Sequence, residues 1–149
     1  MPHSYEKNGA AIYAESFATI RAEADLARFT PAEELVVVRM IHAAGMVGLA
    51  PFVRFTADFA DAARAALEGG ASVLCDARMV SEGITRTRLP ADNQVICTLQ
   101  DPQVRKMAED AGNTRSAVAL ELWRPYLDGA VVAIGNAPTA LFHLLNMLE

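Results

Sequence analysis

Three histidines are the natural starting point for proton chemistry near neutral pH, and they are not equivalent. His3 lies in a terminus expected to fray. His143 sits between Phe142 and Leu144 in a helical stretch and reads as structural. His42 falls four residues after Val38 and seven after Leu35, which places it on the inward stripe of a helix. It also occupies the last turn of that helix, where the macrodipole favours imidazolium while burial opposes it. That balance suits a group that must give up a proton. The same spacing fits a buried histidine satisfied by one hydrogen bond.

Other residues could bind rather than react. Tyr13 and Ser16 are three apart on one helix and so share a face, either as site residues or as the edge of the core. Gly112-Asn113-Thr114-Arg115-Ser116 opens a helix. Asn113 or Thr114 can cap it, and Arg115 puts a cation in its first turn, against the dipole unless an anion lies nearby. An ordinary cap with a solvated arginine is the alternative. Gly135-Asn136-Ala137-Pro138-Thr139 reads as a strand-to-helix turn, either a plain one or a cradle for phosphate or carboxylate. It is neither G-x-G-x-x-G nor a P-loop, so no nucleotide site is read from it. Residues 79–90 mix apolar surface, hydroxyls and two arginines, Arg86 and Arg88, spaced to share one face of an extended segment. Such a segment, with Thr85 and Arg86 in it, either lines a pocket for a large ligand with a charged rim or is a solvated loop.

These residues need a frame. Residues 9–24 are expected to form a helix carried by Ile12, Phe17, Ile20 and Ala24. The strongest start signal follows: Thr30-Pro31-Ala32-Glu33 offers an N-cap, a proline at the first helical position and a capping-box glutamate. That helix should run to Gly45, which can cap its end. A third helix is expected from Thr56 to Gly69-Gly70. The period then changes. Residues 72–76, 94–99 and 130–134 are short apolar runs that read as buried strands, with helices over 102–111, 115–127 and 138–149. Alternating strands and helices predict an α/β fold, a parallel β-sheet flanked by helices, in a single domain over residues 1–149. Ligands in such sheets bind beyond the carboxyl ends of the strands, where Asp76, Thr98 and Asn136 fall.

Composition narrows the classes. Hydrophobic residues make up 52% and charged residues 21%, values of an ordinary globular chain that exclude disorder. The net charge of −5 argues against nucleic acid as a partner. An anionic small molecule would need a local arginine cluster. No apolar run is long enough to span a bilayer, and residues 1–7 lack the apolar stretch of a signal peptide, so no membrane association and a cytoplasmic location are expected. Cys75 and Cys97 sit in apolar runs, match no zinc spacing and read as reduced core thiols.

Five segments taken in order resemble one family. Residues 11–17 (AIYAESF), 39–43 (RMIHA), 74–77 (LCDA), 112–117 (GNTRSA) and 132–141 (VAIGNAPTAL) are similar, in sequence and spacing, to precorrin-8X methylmutases. Each segment is weakly specific alone; the ordered set covers nearly the whole chain. The resemblance implies an isomerase of cobalamin biosynthesis that moves the C11 methyl of precorrin-8X to C12, giving hydrogenobyrinic acid. It implies no organic cofactor and no protein-bound metal, a parallel α/β domain and a homodimer. It puts the family histidine at His42, acting on a ring nitrogen. It also implies that relatives continue several tens of residues further, so a C-terminally shortened member is expected. The substrate's acetate and propionate arms need anion sites, which Arg115, Arg86, Arg88 and the helix N-termini offer; the substrate-binding candidates are Tyr13, Ser16, Thr85, Arg86, Arg115, Ser116, Asn136 and Thr139.

Alternatives remain at this level. The anaerobic-pathway relatives act on the cobalt-bearing ring. A shortened member could act as a corrinoid-binding module with little turnover. A hydrolase or transferase on the same sheet is disfavoured by the lack of a G-x-S-x-G elbow and of a Gly-rich nucleotide loop.

Overall fold

The computed structural model describes residues 3–149. Met1 and Pro2, part of the terminus read above, lie outside the described residues. The chain forms two compact units, one ending at Asp61 and the other spanning Ala62–Glu149.

The first unit is built from two helices and a short 3₁₀ segment. Helix α1 (Gly9–Glu23) starts where the Asn8 side chain accepts hydrogen bonds from the amides of Ala10 and Ala11. Helix α2 (Pro31–Ala44) has the full capping box: the Thr30 hydroxyl accepts from the Glu33 amide, and Glu33 accepts from the Thr30 amide. Gly45, at φ 64°, ends it in the left-handed conformation that glycine adopts without strain. A 3₁₀ turn, Val47–Phe52, follows. Burial of Ile20, Val37, Val38, Ile41, Ala50 and Val53 makes the core. Arg28 ties this together, donating to the carbonyl of Val53 at 2.6 Å and to that of Ala50.

One expectation fails here. Leu35 is 53% exposed, so it is not on the inward stripe; the inward residues of α2 are Val37, Val38 and Ile41. The reason is that α2 is apolar on two sides, with Leu35 and Met40 exposed, and periodicity alone does not say which side is packed.

The second unit contains a three-stranded parallel sheet in the order β2-β1-β3, with β1 (Val73–Cys75), β2 (Val95–Ile96) and β3 (Val131–Ala133). Val73 faces Val95 on one side and Val131 on the other, and Leu74 faces Ile96 and Val132. The predicted α/β class and parallel sheet are thus observed. Central strand β1 is buried throughout, as its unbroken apolar run requires. The surrounding helices are α3 (Phe59–Glu68), α4 (Arg78–Gly83), α5 (Pro102–Ala111), α6 (Arg115–Val118) and α7 (Pro138–Leu148). Leu74, Leu120, fully buried Trp123, Ala140 and Leu144 form one core cluster, and Val104, Val118 and Ala119 a second.

Three local expectations are corrected. The helix expected over 115–127 is α for only its first four residues and then 3₁₀ over Ala119–Tyr126. Pro125 has no amide for an α bond, and the Ala119 carbonyl is taken by the Thr98 hydroxyl at 2.7 Å. Thr98 is thereby committed to the backbone rather than to a ligand. Residues 79–90 are not extended: they hold α4 and a 3₁₀ turn, Arg86–Arg88, so the two arginines do not share a strand face. The third helix begins at Phe59, not at Thr56, whose carbonyl instead closes a turn onto the Phe59 amide.

After β3 the chain passes close to α4. A Cβ placed on Gly135 would lie 2.9 Å from Cγ2 of Val80. Valine is stiff about χ1 and yields little. Gly135→Ala is expected to lower stability by about 1–3 kcal/mol, the range for overpacking. Urea midpoints check this, with a smaller loss expected when the same change is made in a Val80→Ala background.

Candidate functional site

The first unit brings Tyr13, Ser16 and His42 together. Residues 13, 16 and 17 fall on one side of α1 by their three- and four-residue spacing. His42, in the last turn of α2, meets them there. Ser16 Oγ is 2.7 Å from His42 Nδ1. The Tyr13 ring lies 5.0 Å from the imidazole, tilted by 37°. The Phe17 ring stands edge-on to it at 5.4 Å. The sequence marks Phe17 only as a core residue; its place four residues after Tyr13 is the available signal for its role here. Arg39 in turn lies 5.4 Å from the Phe17 ring centre.

Ser16 and His42 of this group line a cleft of about 420 Å³, with Ile12, Glu15, Thr19, Ile41 and Val47. His42 is half-buried. Its Nε2 has no hydrogen-bond partner among the described residues and is not among the buried unsatisfied atoms, so it reaches solvent. A ring held at one nitrogen and open at the other, beside the carbonyl end of a helix, can present a proton to a ligand.

In the second unit the strand-end polar residues have diverse uses. Asp76, only 2% exposed, extends past β1 and accepts three backbone hydrogen bonds, from Gly135 at 3.1 Å, Asn136 at 3.0 Å and Ala137 at 2.8 Å. The anion cradle expected at Gly135–Thr139 is therefore filled from within: the carboxylate it holds is that of Asp76. What the turn offers outward is the exposed Asn136 and Thr139 side chains.

Thr114 caps α6, accepting from the Ala117 amide, and its hydroxyl donates to Thr139 Oγ1 at 2.9 Å. This bond sets the starts of α6 and α7 side by side. Arg115 is exposed, with no partner among the described residues, next to half-buried Ser116. Arg86 lies elsewhere in the unit. Its Nη1 donates to the Ser81 carbonyl at 3.0 Å, and it lines a cleft of about 270 Å³ with Arg78, Glu82, Cys97 and Gln100. Thr85 is exposed and its carbonyl accepts from the Arg88 amide.

The cysteines are free, and burial, reinforced by neighbouring Cys97 and Asp76, pushes the Cys75 thiol up to about 11, the range of an inert core group. His143 has a structural partner, Glu121, at 2.7 Å. The Arg124 guanidinium, followed by His143, holds the Glu121 carboxyl below its usual range. No three of His, Cys, Asp and Glu are arranged to hold a metal among the described residues. None of the described helices is long and apolar enough to cross a membrane.

Comparison with known proteins bears on this geometry. The family model described as precorrin-8X methylmutase matches residues 11–149, a span that includes the His42 group and both turns of the second unit. The chain is 59% identical over 145 residues to a protein from Pseudomonas aeruginosa named precorrin-8X methylmutase, covering 97% of this chain and 70% of that one. It is 58% identical over 147 residues to one of the same name from a Sinorhizobium species, covering 99% and 70%. A crystal structure of precorrin-8X methylmutase from Thermus thermophilus superposes with a TM-score of 0.82 at 38% identity, over 94% of this chain and 68% of that one. Sequence, fold and matched span agree, and this chain belongs to the precorrin-8X methylmutase family.

Proposed function

We propose that this chain is an isomerase that moves the C11 methyl of precorrin-8X to C12, giving hydrogenobyrinic acid, with His42 as the proton donor. The observation that carries the reading is the His42 ring, held through Nδ1 at the edge of a cleft with Nε2 open. The chemistry asks for little more. A sigmatropic methyl shift needs no nucleophile; it needs a shaped site and a proton, or a hydrogen bond, placed on a ring nitrogen so that the transition state is favoured over the ground state. Both relatives near 60% identity carry the name of the metal-free substrate, which supports that ring over its cobalt-bearing counterpart. The test offers each ring to the chain separately. Conversion of precorrin-8X is expected. Conversion of the cobalt ring alone would replace this reading with the anaerobic one.

The remaining assignments belong to the same proposal. Tyr13 packs on the ring system beside His42. Arg115, Ser116, Asn136 and Thr139, and separately Thr85 and Arg86, take the acetate and propionate arms, with guanidinium groups pairing with carboxylates. The chain acts as one methylmutase domain in the cytoplasm, as a homodimer. Arg115→Ala is expected to weaken ring binding by about 1.5–3 kcal/mol, the range for a hydrogen bond to a charged group. Titration of the ring's visible absorbance measures it; equal affinity at low and moderate salt would remove Arg115 from the site.

A further inference from the structure

We infer that Cys97 and Cys75 form a thiol–disulfide exchange site, in which Cys97 is modified by a small carboxylate-bearing disulfide and Cys75 then displaces the adduct by bonding to Cys97. The placement comes from the sheet. Strands β1 and β2 run parallel, with Val73 facing Val95 and Leu74 facing Ile96. The next pair in that register is Cys75 and Cys97. Side chains alternate along a strand. Leu74 and Ile96 belong to the core cluster that holds Leu120 and Trp123. Val73, Cys75, Val95 and Cys97 therefore share the opposite face of the sheet. Val95 and Cys97 indeed both line the cleft of about 270 Å³ beside α4. Neighbouring strands lie about 4.8 Å apart, inside the Cα separation of roughly 4.4–6.8 Å that a disulfide bridges.

The two thiols differ in access, which sets the order of events. Cys97 is half-buried and opens onto the cleft; Cys75 is fully buried. Arg78, Arg86 and Glu82 line the same cleft, and two guanidiniums against one carboxylate draw an anionic reagent. Cys97, as thiolate, attacks one sulfur of a disulfide R–S–S–R. A Cys97–S–S–R bond forms, the R–S–S–R bond breaks and one thiolate leaves. Burial, then neighbouring Cys97 and Asp76, hold the Cys75 thiol up at about 11, so it keeps its proton and does not meet reagents in solution. It acts only once Cys97 carries the adduct. Cys75 then gives its proton to a released thiolate and attacks the Cys97 sulfur; the Cys75–Cys97 bond forms and the second thiolate leaves. Two protein thiols are oxidised and one small disulfide is reduced to two thiols, so no further oxidant is needed.

The test incubates the reduced full chain with oxidised glutathione, under nitrogen and with a chelator present. Samples are stopped with acid and N-ethylmaleimide and read by intact mass and peptide mapping. Wild type is expected to pass through a species with one glutathionyl group on Cys97 and to end as an internal Cys75–Cys97 disulfide with no free thiol, which excess dithiothreitol reverses. Cys75→Ala should stop at the Cys97 adduct. Cys97→Ala should leave Cys75 unmodified over the time in which wild type reacts fully. Wild type should react several-fold faster at low salt with oxidised glutathione than with the cationic disulfide cystamine, and Arg78→Ala should erase that preference. A wild-type adduct that never closes would overturn the inference, as would a cross-link between two chains in place of the internal bond, or reaction only in unfolding concentrations of urea. Equal rates with the two reagents would overturn the assigned ligand class. The wild-type bond is mapped without relying on the folding of any variant, and no tetrapyrrole enters the experiment, so its result is separate from that of the methylmutase reading.

Discussion

Replacing His42 with asparagine is expected to lower the single-turnover rate by about 10²–10⁴-fold, the usual worth of a placed general acid, while ring affinity stays within a few-fold of wild type. The physical case has three parts. The ring is half-buried between Tyr13 and Phe17, so its orientation is restricted. It lies in the last turn of α2, at the carbonyl end of the helix. Its Nδ1 is occupied by Ser16 and its Nε2 is open. Asparagine preserves much of the packing volume and removes only the proton chemistry. The carboxylate-binding candidates are all other residues, so binding should persist. A near-wild-type rate in a folded His42→Asn protein would remove the residue from the mechanism.

The second large effect concerns stability rather than chemistry. Asp76→Ala should destabilise the protein by about 3–5 kcal/mol, because one substitution removes the acceptor for three charge-assisted hydrogen bonds. For a chain of this size that amounts to a fall in Tm of roughly 10 °C. The Ala137 amide suffers most: its residue is buried and its bond, at 2.8 Å, is the shortest of the three. The amides of Gly135 and Asn136 belong to exposed residues and can recover part of their loss from water. Asp76→Asn, which keeps one acceptor oxygen, should fall between wild type and alanine. Urea unfolding followed by Trp123 fluorescence measures the series; an unchanged midpoint in Asp76→Ala would mean that the turn is held by something other than this carboxylate. The same change should also displace Asn136 and Thr139, so any surviving ring affinity should fall with it.

What could be read from the sequence was mostly what is decided locally. The capping box at Thr30 and Glu33, and the glycine cap at Gly45, involve neighbours a few residues apart, and α2 forms where they say. Asp101 capping α5 with Pro102 at its first position, and Gly112 at φ 59° closing it, bound that helix at its expected ends. The grouping of Tyr13 with Ser16 followed from helical spacing alone. The errors arise where distant residues decide. The turn at Gly135–Thr139 has the composition of an anion cradle, and nothing nearby in sequence says that Asp76, about 60 residues earlier, already fills it. The alternating arginines of residues 79–90 suggest an extended segment, yet Arg86 folds back to the Ser81 carbonyl, and the segment holds the end of α4 and a 3₁₀ turn. Periodicity puts Leu35 inward because α2 has two apolar sides, and only packing on Ile20, Ala50 and Val53 selects the one with Val37, Val38 and Ile41. The pairing of Ser16 with His42 joins residues 26 apart and was likewise invisible to spacing.

Methyl migration with His42 as the donor can be followed directly by isotopic labelling. Precorrin-8X carrying ¹³C in its C11 methyl group is incubated with the chain at enzyme excess, and the bound tetrapyrrole is followed by ¹³C NMR together with its mass. The expected result is that the methyl resonance leaves its C11 position and appears at C12 with no change in mass, and that in His42→Asn the ring binds but the label stays in place. Tight binding by the wild-type chain with the label still at C11 would contradict the claim and leave a corrinoid-binding protein without the isomerase step.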